Sequence, residues 1–164
     1  MAWAMSADPA ALTKIFFPTD SSAWHGRTGE WMWASLQGPV GYRIENNPFY
    51  VYGISYHDIV SATTTPDGLL HFLEIIEKGG HSLYRLRLED GVSAGDVLER
   101  WPALEMAGCA YESTADPENT FSIDVPPDVD VYFVYSVLSK GHEDGLWNFE
   151  EASFQHPLVD RTPS

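Results

Sequence analysis

Turn-forming residues break this chain into segments too short for long helices. Between residues 30 and 77 the runs EWMWASL (30–36), VGYRIE (40–45), FYVYGI (49–54), DIVSATTT (58–65) and LLHFLEIIE (69–77) are β-branched or aromatic enough for strands. Gln37-Gly38-Pro39, Asn46-Asn47-Pro48 and Pro66-Asp67-Gly68 separate them. The last is a reverse turn with a mechanism: proline fixes φ, aspartate supplies an acceptor, and glycine tolerates positive φ. This spacing predicts a small β-barrel-like, curled antiparallel subdomain over residues 30–81. The run 69–77 reads as a buried strand, although its length also suits a helix. Upstream, Ser6 and Pro9 signal a helical turn over residues 6–12, and residues 18–29 are rich in turn formers. Residues 1–29 therefore read as an arm and loop.

From His81 the rhythm changes. SLYRLRL (82–88) alternates, with Leu83, Arg85 and Arg87 on one face and Tyr84, Leu86 and Leu88 on the other. Ser93 then caps a helical stretch with Asp96 three residues on, and Val97, Leu98, Trp101, Leu104 and Met106 supply its apolar side. Pro102 should end or kink it. Residues 109–114 predict a strand, 115–119 a turn and 121–125 another strand. A helix over 129–140 follows, with Val131, Val134, Tyr135 and Leu138 on one face and Gly141 as its stop. WNFEEA (147–152) is a final strand, and the tail after Gln155 should fray. The order β-α-β-β-α-β predicts an α+β fold whose second part, residues 82–155, is a ferredoxin-like lobe, with 156–164 as tail.

Charge divides at the same place. Residues 1–88 hold eight acids and six bases, a balance of −2; residues 89–164 hold sixteen acids and three bases, a balance of −13. A field of that sign disfavours nucleic acid and favours a basic protein partner. Tyr84, Tyr111, Phe121 and Phe149 resemble the sheet aromatics of RNA-binding modules, but the phosphate side of such binding is opposed by the charge. With Cys109 the only cysteine, a disulfide framework within the chain is excluded and a reducing, cytoplasmic location is expected. Neither a signal peptide nor a membrane span is expected.

Three separated runs carry a family resemblance. NNPFYVYGISYHDIV (46–60), EKGGHSLYR (77–85) and IDVPP (123–127) resemble, in order, the pattern of a bacterial domain of unknown function, DUF4265, over roughly residues 31–151. The resemblance implies an extent and no activity. At His57 the chain departs from that pattern, which more often has glycine in SYGD, and this argues against a tight turn of positive φ there.

Two kinds of site emerge. Gly79-Gly80-His81-Ser82 presents an imidazole and a hydroxyl at a strand start, with Arg85 on the same strand, a set suited to acid–base work or anion binding. Against it stands a plain glycine turn with His81 capping backbone, which is the favoured reading. Tyr56-His57-Asp58 in an extended strand points His57 away from its neighbours, so it forms no single-face triad; Asp58 would orient His81 if the two loops meet, and the favoured reading is a turn acid that begins a strand. The histidines (His25, His57, His71, His81, His142, His156) are scattered without metal-ligand spacing, and neither a metal nor a cofactor is expected. Cys109, beside Glu105 and Glu112, reads as buried and structural. The second kind of site is a docking face built from Glu112, Asp124, Glu150 and Glu151 with Trp147 and Phe149 as anchors. The absence of a complete catalytic constellation leans the reading toward a non-enzymatic inhibitor, immunity or regulatory module. A small enzyme or ligand site around His81 and Asp58, between the two parts, is the alternative. Acid that serves only solubility is the plainest reading of all.

Overall fold

A computed structural model describes residues 12–39, 41–114 and 119–158. It is an α+β protein of mostly antiparallel sheets. The first sheet contains β1 (Leu12–Pro18), β2 (Gly29–Gln37), β3 (Gly41–Ile44), β4 (Ile59–Thr64) and β5 (Leu70–Glu77). These strands pair in sequence order, and β5 returns to β1 through a short parallel contact at Ile15↔Leu70 and Phe16↔His71, which closes a ring. Inward residues alternate along each strand as the pleat requires: Ile15 and Phe17, Met32 and Ala34, with Ile44 and Val60, fill the interior.

Three expectations need correction here. Residues 12–18, expected within the arm, form β1. The run 49–54 is not a strand, because its backbone groups are claimed by side chains, as described below. Strand β5 is not buried: Leu73 is 57% and Ile76 49% exposed. Its pairing with β4 slips twice and its pairing with β1 covers two residues.

The second sheet has the order β7-β8-β6-β9, with antiparallel neighbours throughout. Its strands are β6 (Ser82–Leu88), β7 (Ala110–Ser113), β8 (Thr120–Val125) and β9 (Trp147–Ser153). Helices α1 (Ala94–Leu98), α2 (Trp101–Ala107) and α3 (Val131–Glu143) cover one face. There Tyr84, Leu86, Phe121, Ile123 and Trp147 pack with Val97, Trp101, Leu104, Val134 and Leu138. Ser93 and Asp96 form the expected reciprocal cap of α1. Pro102 falls in the first turn of α2, where its missing N–H has no intrahelical partner to lose, so the helical stretch divides in two.

Leu98 and Met106 do not belong to the apolar side; Met106 is 89% exposed. Tyr135 is likewise half exposed. Gly141 does not stop α3, which continues to Glu143. It is glycine because a Cβ there would lie 1.9 Å from Trp147 Cζ2. Of the turns expected from sequence, residues 6–11 and 115–118 lie outside the described residues. No helix among the described residues is long and apolar enough to cross a membrane.

Candidate functional site

The face of the second sheet turned away from the helices is polar. Ser122 and Asp124 on β8, Arg85 on β6 and Glu112 on β7 are all buried there. What buries them is the loop between β3 and β4, residues 45–58, which forms a belt between the two sheets. Pro48 supplies no backbone donor, and the N–H groups after it find carboxylates instead of a ladder. Phe49, Tyr50 and Val51 donate to the Glu30 carboxylate at 2.7, 2.9 and 3.2 Å. Facing the second sheet, the Asn47 N–H donates to Glu112 Oε2 (3.2 Å) and the Pro48 carbonyl accepts from Ser122 Oγ (2.8 Å). The Val51 carbonyl accepts from Arg85 Nη1 (2.7 Å), and the Gly53 N–H donates to the Ala152 carbonyl (2.8 Å).

The candidate catalytic residues all lie along this seam, and the expected pairing of Asp58 with His81 is not among their contacts. Asp58 is fully buried and accepts from the Ser55 and Gly79 N–H groups (both 2.9 Å) and from Gln155 Nε2 at both oxygens (both 3.0 Å). The two loops do meet, but through the Gly79 backbone; Asp58 does not orient His81. That role falls to Asp124, whose Oδ1 is 2.7 Å from His81 Nδ1. A carboxylate oxygen accepts here, so the proton of this bond sits on Nδ1.

The His81 ring meets Tyr56 and His57 edge-on, with centroids at 5.4 and 5.5 Å. Tyr56 and His57 stack at 3.9 Å, an arrangement an extended strand forbids. The reason is a turn of positive φ: His57 has φ 70°. The departure from glycine in the sequence pattern does not remove the turn; it places an imidazole in a conformation that side chains adopt at a cost. Burial, then the Arg43 guanidinium, hold His57 below its ordinary pKa, with Glu45 pulling the other way. Gly79 lies against the same turn, where a Cβ would come within 2.8 Å of the His57 carbonyl oxygen.

Ser82 is buried and committed. Its Oγ lies 2.6 Å from His156 Nδ1 and accepts from the Gln155 N–H at 2.9 Å. His156 Nε2 faces the Pro126 carbonyl at 2.9 Å and so donates to it; in the neutral ring Nδ1 then accepts from Ser82. The chain after Gln155, expected to fray, is clamped at His156; residues 159–164 lie outside the described residues. Burial, then Asp124, push the Cys109 thiol up to about 12, so it stays protonated at neutral pH. Ser82 is thus committed to His156 and Cys109 stays a thiol, so neither of these two serves the Asp124–His81 pair as a nucleophile. Among the described residues no three His, Cys, Asp or Glu side chains gather to hold a metal ion.

The docking face drawn from sequence also needs correction. Glu112, Asp124 and Trp147 are buried, the first two against the belt and the third beneath α3. Phe149 is half-buried, and Glu150 accepts from Arg85 Nε (2.9 Å) and Tyr52 Oη (2.6 Å). Glu151 is exposed and accepts from the Tyr84 hydroxyl (2.9 Å). Sequence reasoning missed Glu30, Gln155 and His156, whose partners lie far along the chain.

Glu112 yields a measurable consequence. Burial raises its carboxyl from 4.5 to about 7, with the Asn47 N–H opposing and Glu30 and Asp124 adding to the rise. Between those values the folded chain holds a proton that the unfolded chain has lost, so stability falls as pH rises through this window. Glu112→Gln removes the titration. We expect it to gain on the order of 2 kcal/mol over the parent at about pH 8 and to match it near pH 4. Urea denaturation at both pH values reads this; a constant difference between them would refute the raised carboxyl.

No curated protein matches the sequence. The structure is similar to that of a hypothetical protein from Neisseria gonorrhoeae, with a TM-score of 0.72 and 17% identity, covering 88% of this chain and 96% of that one. At that identity the likeness shows the fold alone. Residues 30–149, which include the whole belt and the seam as far as Asp124, match the family described as Domain of unknown function (DUF4265). The chain therefore belongs to the DUF4265 family.

Proposed function

We propose that the protein is a non-enzymatic binding module of the inhibitor, immunity or regulatory type, acting in the cytoplasm, whose helical layer docks a basic protein surface. In this reading a small barrel-like ring supports a ferredoxin-like lobe; the split βαβ strand order of the second sheet supports the latter name. The supporting observation is how the helices are charged. Their two cations, Arg100 and Lys140, both end on Asp144, each at 2.8 Å. Asp96, Glu99, Glu105, Asp130 and Glu143 make no ion pair among the described residues.

Arg100 at the start of α2 reaches Asp144 at the end of α3, so the two helices run antiparallel. Met106 and Phe133 therefore sit toward the same end of the layer, both exposed. Apolar anchors within an unneutralised acidic field suit fast, salt-sensitive docking. The candidate catalytic residues, by contrast, are tied into the seam, which favours binding over chemistry.

The test is capture from the native cell extract on immobilised protein, at low salt and at about 0.5 M, where screening shortens to a few ångströms. A basic protein should be retained at low salt only, and Glu99→Lys, Glu105→Lys and Glu143→Lys combined should abolish its retention. Loss of nothing on charge reversal, or a partner indifferent to salt, would rule the helical layer out.

A further inference from the structure

Two arginines stand on the helix-free face of β6. In the sheet register Arg85 lies between Ser122 and Glu150, and Arg87 between Thr120 and Asn148. The belt covers the first of these rows. The second row extends beyond it, and there a cavity of about 240 Å³ opens, lined by Trp24, Arg85, Arg87, Thr120, Asn148 and Glu150 among others.

Arg85 is 2% exposed. Its Nε donates to Glu150 Oε1 (2.9 Å), its Nη1 donates to the Val51 carbonyl (2.7 Å), and the Tyr52 ring lies 4.5 Å from its guanidinium. Its Nη2 has no partner among the described residues. A buried charged donor without an acceptor is costly, and such groups are rare in folded proteins. Arg87 makes no ion pair among the described residues, and its guanidinium lies 5.3 Å from the Trp24 ring. Trp24 also meets the His25 ring edge-on at 5.3 Å, and the Tyr52 hydroxyl donates to Glu150 Oε2 at 2.6 Å.

The wall thus holds two permanent cations against one carboxylate, within a chain of net charge −15. We propose that this cavity binds a small monocarboxylate with a flat apolar body. Its carboxylate takes Arg85 Nη2 and the Arg87 guanidinium, and its body lies against Trp24. Guanidinium and carboxylate match in shape and charge, and an indole face offers the flat apolar contact. One negative charge neutralises the wall, whereas a phosphate dianion would exceed it beside Glu150. The volume falls below the ~300–1,000 Å³ common for drug-sized ligands, which limits the occupant to roughly a single ring. The cavity lies across the sheet from the helices, so it stands or falls apart from the docking proposal.

The probe is benzoate, titrated into the intact protein and followed by NMR at the indole and arginine side-chain N–H groups. Benzamide is the neutral isostere, and inorganic phosphate is the competing anion. Benzoate should saturate with Kd in roughly the millimolar range or tighter, with shifts at Trp24, Arg85 and Arg87. Benzamide should bind at least about tenfold more weakly, and Arg87→Gln should weaken benzoate by about the same factor. Arg87 is exposed and makes no buried bond, so this variant should melt as the parent does. Absence of saturation by about 20 mM, equal binding of benzamide, tighter binding of phosphate, or indifference to Arg87→Gln would each overturn the assignment.

Discussion

Asp58→Ala is expected to remove about 3–4 kcal/mol of folding stability, a large part of what a domain of this size possesses. The carboxylate has no solvent exposure and accepts from three groups: the Ser55 N–H, the Gly79 N–H and the Gln155 side-chain amide. These come from the belt, from the turn between β5 and β6, and from the chain after β9. Alanine leaves three buried donors facing a cavity, and an unsatisfied buried donor costs about 1–3 kcal/mol before water or relaxation recovers part of it. Asp58→Asn keeps one acceptor and should lose roughly half as much. Urea denaturation reads both variants. A loss under about 1 kcal/mol in Asp58→Ala would show that water replaces the carboxylate and that it does not hold the three segments together.

Gly141→Ala reverses the usual rule for helices. Propensity alone favours alanine by about 1 kcal/mol at such a position. Here the added methyl would sit 1.9 Å from Cζ2 and 2.3 Å from Cε2 of Trp147. That indole cannot swing aside, because it is 1% exposed and its Nε1–H is donated to the Leu138 carbonyl at 2.9 Å. Overpacking of this kind should cost about 3 kcal/mol or more. Trp147→Leu in the same background removes the collision, so the two substitutions together should cost less than the sum of their separate effects. A double-mutant cycle measures this directly. Strict additivity would mean that the helix shifts to admit the methyl and that the glycine is not required by packing.

The strands flanked by proline and glycine turns were legible because their signals are local. Asn46-Asn47-Pro48 and Pro66-Asp67-Gly68 mark where strands stop regardless of what surrounds them. The belt was not legible, because aromatic and branched residues at 49–54 read as strand while the decisive partner, Glu30, lies about twenty residues upstream. A carboxylate that takes three backbone N–H groups in place of a neighbouring strand leaves no periodicity behind. The acids misled for a related reason. The alternation of Ser122 and Asp124 on β8 marks the face opposite the helices, but nothing local says that this face is covered. Asp124 and Glu112 were therefore counted as surface charge when they are interior. Likewise His156, three residues past a strand end, is held by groups that lie 30 and 74 residues away.

The belt bears on how the chain reaches this structure. Its N–H and C=O groups are satisfied by Glu30 on one side and by Glu112, Ser122, Arg85 and Ala152 on the other, across separations of 65 residues for Glu112 and 74 for Ser122. Neither sheet alone completes that set, and either one alone would leave the Glu30, Glu112 and Arg85 groups to be satisfied by water. The two halves are therefore expected to be more stable together than apart. Joining them waits on contacts of long loop closure, which slows that step of folding. Chain severed in the turn at Gly79-Gly80 should yield two fragments that are each more stable when mixed than alone, read by circular dichroism of the fragments separately and together.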